Sequence, residues 1–392
     1  MSIPRIVEDL LSRGIEISCP HAVEIGSDIN PDRLSGKGIR LHAGCRLRGS
    51  QTYIAQGACI GSEGPVMIDN CYIGPDVELK CGYFKNAVFL EGASLGYGSH
   101  VREGTILEEQ ASTAHCVGLK QTILMPFVTL GSLINFCDCL MAGGTSRKDH
   151  SEVGSSFIHF NFTPNQDKAT PSLVGDVPHG VMLDQRPIFL GGQGGLVGPC
   201  RLTFGTVSAA GTIVRKDQLK PDHLVFGGAG KGGAIPYKPG AIGSSSRILK
   251  NNLLYIGNLL ALREWYCHVR RLFVSECFTE PLLVGLLNIL DIGLEERFKR
   301  LREYILKFEE QNYVEHYERF QEGIREPGRE LGALKTRDDF LQDITMHRSS
   351  QASYIDTLPT LPSHTRLTGT QWLQSIVDTA VAEGGGLMNP SD

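Results

Sequence analysis

A six-residue step runs through the first 240 residues of the chain. Leu95, Val101 and Leu107 are each six apart, and Ile54 and Ile60 repeat the step. Glycine often follows the aliphatic residue, as in Ile25-Gly26, Ile60-Gly61, Ile73-Gly74, Leu95-Gly96, Val153-Gly154 and Val174-Gly175. A Gly-rich β-sandwich would space its strands by about 8–12 residues with alternating polarity. Six-residue steps instead mark a β-helix. Each hexad is one short strand and a turn: the aliphatic residue points into a narrow core, and Gly, Asn or Asp supplies the turn. Stacked coils then bury the aliphatic column continuously. Stretches almost free of large side chains, such as GTVSAAGTIVRKD (205–217), suit corners where neighbouring coils approach closely.

Composition narrows the class. Most of the 46 glycines precede residue 245, so the excess belongs to the repeat region. Net charge is −5 with no long basic block, which argues against a nucleic-acid partner. No apolar run approaches the roughly 18 residues of a membrane span. The N-terminal MSIPRIVEDLLSRG is charged and amphipathic, unlike a signal peptide. The 11 cysteines form no CxxC pair, the closest being Cys137 and Cys139. They read as buried thiols in a reducing compartment, and the expected location is the cytoplasm.

The expected organisation is an N-terminal helix (1–20), a β-helix (21–240), an α-helical extension (241–325) and an irregular tail with a short terminal helix (326–392). Helical apolar spacing appears at Leu249, Leu253, Ile256 and Leu260, and again at Phe298, Leu301, Ile305 and Phe308. These helices are expected to cap the last coil, because an open coil end exposes backbone edges and core. Residues 140–152, 163–172 and 176–187 break the hexads, so the functional surface is expected there. GGAGKGG (227–233) lacks the GxxxxGK[ST] context of a phosphate loop and reads as a linker, with Lys231 near a cofactor phosphate at most.

Two stretches, VGSSFIHFNFTPNQDKATPSLVGD (153–176) and GGLVGPCRLTFGTVSAAGTIVRKD (194–217), resemble the hexapeptide-repeat acyltransferase family. Within it they are similar to the acetyltransferase domain of bifunctional glucosamine-1-phosphate acetyltransferase/N-acetylglucosamine-1-phosphate uridyltransferase. The resemblance spans about residues 20–220. It implies a mainly β fold, a left-handed parallel β-helix followed here by an α-helical C-terminal extension. It also implies a homotrimer that uses acetyl-CoA and a small-molecule sugar acceptor. Carried over residue by residue, the family's motif Asn falls on Asn161, and substrate-binding positions fall on Arg102, Lys120 and Lys168. The acyl-CoA-contacting coils fall near Gly192, Ala209 and Ala210. The family's catalytic His falls on Ser132, its neighbouring Tyr on Asn135 and a substrate Lys on Thr129. Nothing resembles the Gly-rich, Arg-containing nucleotide loop of the uridyltransferase half, so pyrophosphorylase activity is not expected.

A serine cannot hold a proton at neutral pH as imidazole does, so the base must come from elsewhere if amine acylation survives. His115, His150 and His159 lie in or beside the interrupted coils. His159 alternates with Asn161 in FIHFNF, so both should point to one side of a strand. That makes His159 the expected base and Asn161 its substrate-orienting neighbour. Two other classes stay open: a catalytically degenerate sugar-nucleotide-binding or scaffold protein, and a γ-carbonic-anhydrase-like metal site built from histidines.

Overall fold

The computed structural model describes every residue except 1–2, 162–167, 228–244, 309, 327, 350–351 and 389–392. The GGAGKGG linker beyond Gly227, Lys231 and half of the 163–172 interruption therefore lie outside the described residues.

Short parallel strands wind from Glu16 to Val225 into a β-helix with three faces. Face one is an 11-stranded ladder that takes one strand from each coil, from Glu16–Ile17 to Leu224–Val225. Faces two and three share a second sheet because Gly118–Leu124 and Asn135–Met141 cross their common corner unbroken. The corner turns there at Gln121 and Asp138, both at positive φ. Along face one, Leu41, Ile60, Leu79, Leu95, Leu130, Val153 and Leu190 stack inward, all almost fully buried. The hexad reading of the sequence describes this column. Asn70, Asp76, Asn86 and Asp222 take left-handed turn conformations as expected. So do Phe127 and Leu133, where a bulky side chain makes φ near +60° to +70° unfavourable.

Helix α1 (Arg5–Ser12) closes the first coil with Val7 and Leu10. The first strand begins at Glu16, so the β-helix starts ahead of residue 21. The remaining helices are α2 (Val177–Gly180), α3 (Ser245–Glu264), α4 (Glu280–Ile305), α5 (Gln311–Ile324), α6 (Leu334–His347), α7 (Tyr354–Thr357) and α8 (Ser363–Glu383). The stretch after 326 is thus mostly helical. The expected short terminal helix runs 21 residues, because Trp372, Leu373, Ile376 and Val377 bury one face against α3 and α6.

The helices do not cap the last coil. They lie along face three, from Tyr53 to Asp217. Thr279 donates to the Tyr53 hydroxyl at 2.9 Å, Asn288 to the Tyr72 hydroxyl at 3.1 Å, and Asn251 to Asp217 at 3.4 Å. The physical reason is a second apolar column on that face. Tyr72, Val88, Ile106, Ile123, Leu140 and Leu173 occupy matching register positions and are buried. In the last coil Leu224 and Phe226 remain exposed. The 176–187 interruption also belongs to this packing. Val177, Val181, Met182 and Leu183 are buried, the Val181 carbonyl accepts from Tyr354 at 2.9 Å, and Asp184 pairs with Arg366. It docks the helices and is not a free functional loop.

Candidate functional site

On face two, the side chains that point outward come from the same register positions of successive coils. Tyr83, His100, Gly118, Asn135 and Ile158 form one column, and Arg102, Lys120 and Cys137 the next. Adjacent coils stand about 4.8 Å apart, so side chains one coil apart share a ligand. Gly118 has no side chain and leaves a gap between His100 and Asn135. The result is a groove of about 490 Å³ that gathers Arg102, Lys120 and Asn135, walled by Leu133 and Ile158. Most of its lining precedes the loops where the sequence placed the functional surface, and Ile158 follows the first of them.

The groove carries positive charge. The Lys120 ammonium lies 3.0 Å from Glu103, and the Arg102 guanidinium 3.5 Å from the same carboxylate oxygen. Burial works against the Glu103 charge, but hydrogen bonds from its own backbone and from Lys120 hold its carboxyl below the ordinary range. Two cations against one anion leave a surplus suited to phosphate or carboxylate. Burial pushes the Cys137 thiol up, so it stays protonated.

Ser132 stands at the corner between faces one and two, at the edge of this groove. Its hydroxyl is hydrogen-bonded to Nδ1 of His115, one coil earlier, at 2.9 Å. The same corner continues upward through Ser155, Gly192 and Ala210. The Ser132 amide donates to the Ser155 hydroxyl at 3.2 Å, and the Gly211 amide to the Gly192 carbonyl at 2.9 Å. Small residues are compulsory here for packing alone. A Cβ on Gly192 would meet the Ser155 carbonyl oxygen at 2.8 Å, and one on Gly191 the Ala209 carbonyl carbon at 2.5 Å.

His159 is not at this site. Strand alternation did place His159 and Asn161 in one phase, but that phase points inward at His159. His159 pairs with Leu196 and lies one residue past the Asn135–Ile158 pair, in the column of Phe84, Val101, Leu119 and Phe136. Its imidazole is hydrogen-bonded to the Cys137 carbonyl and, at 2.8 Å, to the Ser172 hydroxyl. Burial pushes its pKa down, so it stays neutral, and no substrate reaches it. Replacing His159 by Gln should lower stability by about 1–3 kcal/mol through a buried, imperfectly satisfied amide. Denaturant unfolding checks this, and the pH profile of any activity should not move.

Asn161 and Lys168 flank the segment outside the described residues, and neither lines the groove. The Asn161 side-chain oxygen accepts from Thr170 at 2.6 Å, and Lys168 is exposed. Thr129 is not left without a cation. The hairpin Gly144–Ser146/Asp149–His150 folds back over face one, and Arg147 donates to the Thr129 hydroxyl at 3.1 Å and to the Phe127 and Gln110 carbonyls. Among the described residues, no group of three or more His, Cys, Asp or Glu is placed to hold a metal ion, and no helix is long and apolar enough to cross a membrane.

Comparison with known proteins gives the coils a relative. The bifunctional protein GlmU of Trichlorobacter lovleyi is 26% identical over 223 residues, covering 57% of this chain and 43% of that protein. The chain is a distant homologue of the hexapeptide-repeat GlmU proteins. The bifunctional protein GlmU of Thermotoga petrophila is 25% identical over 234 residues, covering 57% of this chain and 45% of that one. The chain thus spans less than half the length of the GlmU proteins it matches. No family model matches it. A solved structure of the polysialic acid O-acetyltransferase OatWY covers 55% of this chain and 82% of its own at 12% identity, with a TM-score of 0.17, a superposition too poor to carry any argument.

Proposed function

We propose that the chain is an acyltransferase that passes an acyl group from a CoA thioester to an amino-sugar phosphate or a sugar nucleotide. The observation that carries this reading is the convergence of Arg102, Lys120 and Asn135. The resemblance marks all three, they come from successive coils, and they share one cationic groove. In this reading Arg102 and Lys120 hold the acceptor's phosphate and Asn135 orients its ring. The cofactor runs along the small-residue corner past Ala210, Ala209 and Gly192, and its thioester ends at Ser132. Asn161 and Lys168 would reach the acceptor from a neighbouring copy of a homotrimer in the cytoplasm. Face three is occupied by the chain's own helices, so copies would meet through faces one and two. Face one offers Phe189, Val207 and Leu224 in matching register, all exposed.

Calorimetry with acetyl-CoA and thiol release with a panel of amino-sugar phosphates test the reading. The Arg102→Ala change should weaken acceptor binding by roughly ten- to a hundredfold, the range of one or two charge-assisted hydrogen bonds. Affinity for acetyl-CoA should not change. No binding of acetyl-CoA at millimolar concentration would sink the proposal. A second reading, a degenerate sugar-nucleotide binder or scaffold, draws support from Ser132 at the base position and from the burial of His159. It requires acceptor binding with no thiol release.

A further inference from the structure

We infer that His115 and Ser132 together form the proton-accepting pair of this site, an assignment that rests on the acyl-transfer reading above. The pair is built into the frame of the β-helix. The Leu133 amide donates to the His115 carbonyl at 3.0 Å, and the Ser156 amide to the Ser132 carbonyl at 2.8 Å. Two rigid corners, one coil apart, therefore hold imidazole and hydroxyl in register, which fixes their 2.9 Å contact before any substrate arrives. The residues that follow each partner, Cys116 and Leu133, form part of the groove wall beside Lys120 and Asn135. Leu133 is held there at φ 59° with its side chain exposed, an unfavourable conformation for leucine. A hydroxyl backed by an imidazole at hydrogen-bond distance is the arrangement that moves a proton off an attacking group.

Other imidazoles fit less well. His159 is walled into the core. His179 is committed to Asp176 at 2.8 Å. His100 lines the groove, but its ring lies flat on Tyr83 at 5.1 Å. The ionisable groups of the neighbouring groove are His100, Arg102, Lys120, Cys116 and Cys137, with Glu103 paired to Lys120, and the Tyr97 phenol stands at the same corner one coil before His115.

The step balances as follows. The acceptor's O–H or N–H gives its proton to Ser132 Oγ, while the hydroxyl proton of Ser132 passes to His115 Nδ1. The freed lone pair attacks the thioester carbonyl carbon, and the C–S bond breaks. The departing sulfur takes its proton back from His115 by the same route, leaving the thiol and a neutral pair. Ser132 serves as the relay and His115 as the group that holds the charge.

The test uses the full chain, acetyl-CoA and the amino-sugar phosphate panel, with thiol release followed across pH. His115→Gln should lower turnover on the order of a hundredfold and remove the acidic limb of the kcat/KM profile, with acetyl-CoA affinity from calorimetry unchanged. Imidazole added to His115→Ala should restore part of the rate. Ser132→Ala should lose rate but keep the limb, because a water can bridge to the imidazole. His100→Gln should keep the limb, whatever it changes in acceptor binding. If the wild type releases no thiol, the acyl-transfer reading falls and this assignment with it. If it does and His115→Gln retains the rate and the limb, this assignment alone falls. Loss of the limb in His100→Gln moves the role to His100 and overturns it equally, and an acyl group trapped on Ser132 overturns the relay.

Discussion

Removal of residues 246–392 should leave a chain that cannot stay soluble and folded. The truncated protein would keep every coil of the β-helix and its N-terminal cap, yet it would bare the whole outward column of face three. Tyr72, Val88, Ile106, Ile123, Leu140 and Leu173 are each almost fully buried by the helices. Burying a side chain of this size is worth roughly 1.5–3 kcal/mol, so the column amounts to something on the order of 10 kcal/mol, comparable with the whole stability of a domain. A flat apolar strip along parallel strands also invites association. The buried charges would lose partners as well: Asp138 pairs with Arg297 at 2.6 Å, and Glu109 with Arg270. Light scattering and thermal unfolding check the outcome. A truncated chain that stays dispersed and melts at the temperature of the full chain would show that the helices are dispensable, against the packing described here.

The inward columns were legible in the sequence because one aliphatic residue per hexad suffices to mark them. The cover over face three was not, because the hexad rule attends to one position and ignores its neighbour. Val88-Phe89, Ile106-Leu107, Ile123-Leu124, Leu140-Met141 and Leu173-Val174 are apolar on both sides of the strand, the mark of strands buried on both faces. Read that way, the helices after Ser245 had a site to occupy along the coils. The groove was legible in part for a related reason. Arg102 and Lys120 are 18 residues apart and Gly118 and Asn135 are 17 apart, about one coil each, so equal phase put them on one surface. His159 misled because alternation says that two residues share a side and not which side it is. Its phase with Leu196, and through the coil below with Phe136, decides that it points inward. His115 and Ser132 are also 17 apart, and that spacing was the available signal for their contact.

Arg270→Ala should be among the most damaging single substitutions in the molecule. The guanidinium is fully buried, donates to both oxygens of Glu109, lies 3.7 Å from Glu108, and is sandwiched between Phe278 and Tyr354 with ring centroids at 4.4 and 4.3 Å. The two carboxylates come from the corner that joins faces three and one, so this cluster fixes the helices to the β-helix. Removing one partner of a buried charge cluster typically costs about 3–5 kcal/mol. The loss should depend on pH. Burial pushes the Glu108 carboxyl up to about 7 from an ordinary 4.5, against the opposing pull of Arg270 and the hydrogen bond from Tyr266 at 2.6 Å. A carboxyl whose pKa is higher folded than unfolded binds its proton more tightly in the folded state. Its contribution is complete below pH 4.5 and is lost as pH rises through 7. The wild type should therefore lose up to about 3 kcal/mol between pH 5 and pH 8 from this group, and Glu108→Gln should flatten that slope. In Arg270→Ala neither carboxylate has a cation, so the variant should be hit hardest at pH 8 and recover part of the loss at pH 5, where a proton can take the place of the guanidinium. Urea unfolding of the three proteins at both pH values measures this. Equal loss in Arg270→Ala at pH 5 and pH 8 would mean that the damage comes from the lost packing of Phe278 and Tyr354 and not from the stranded charges.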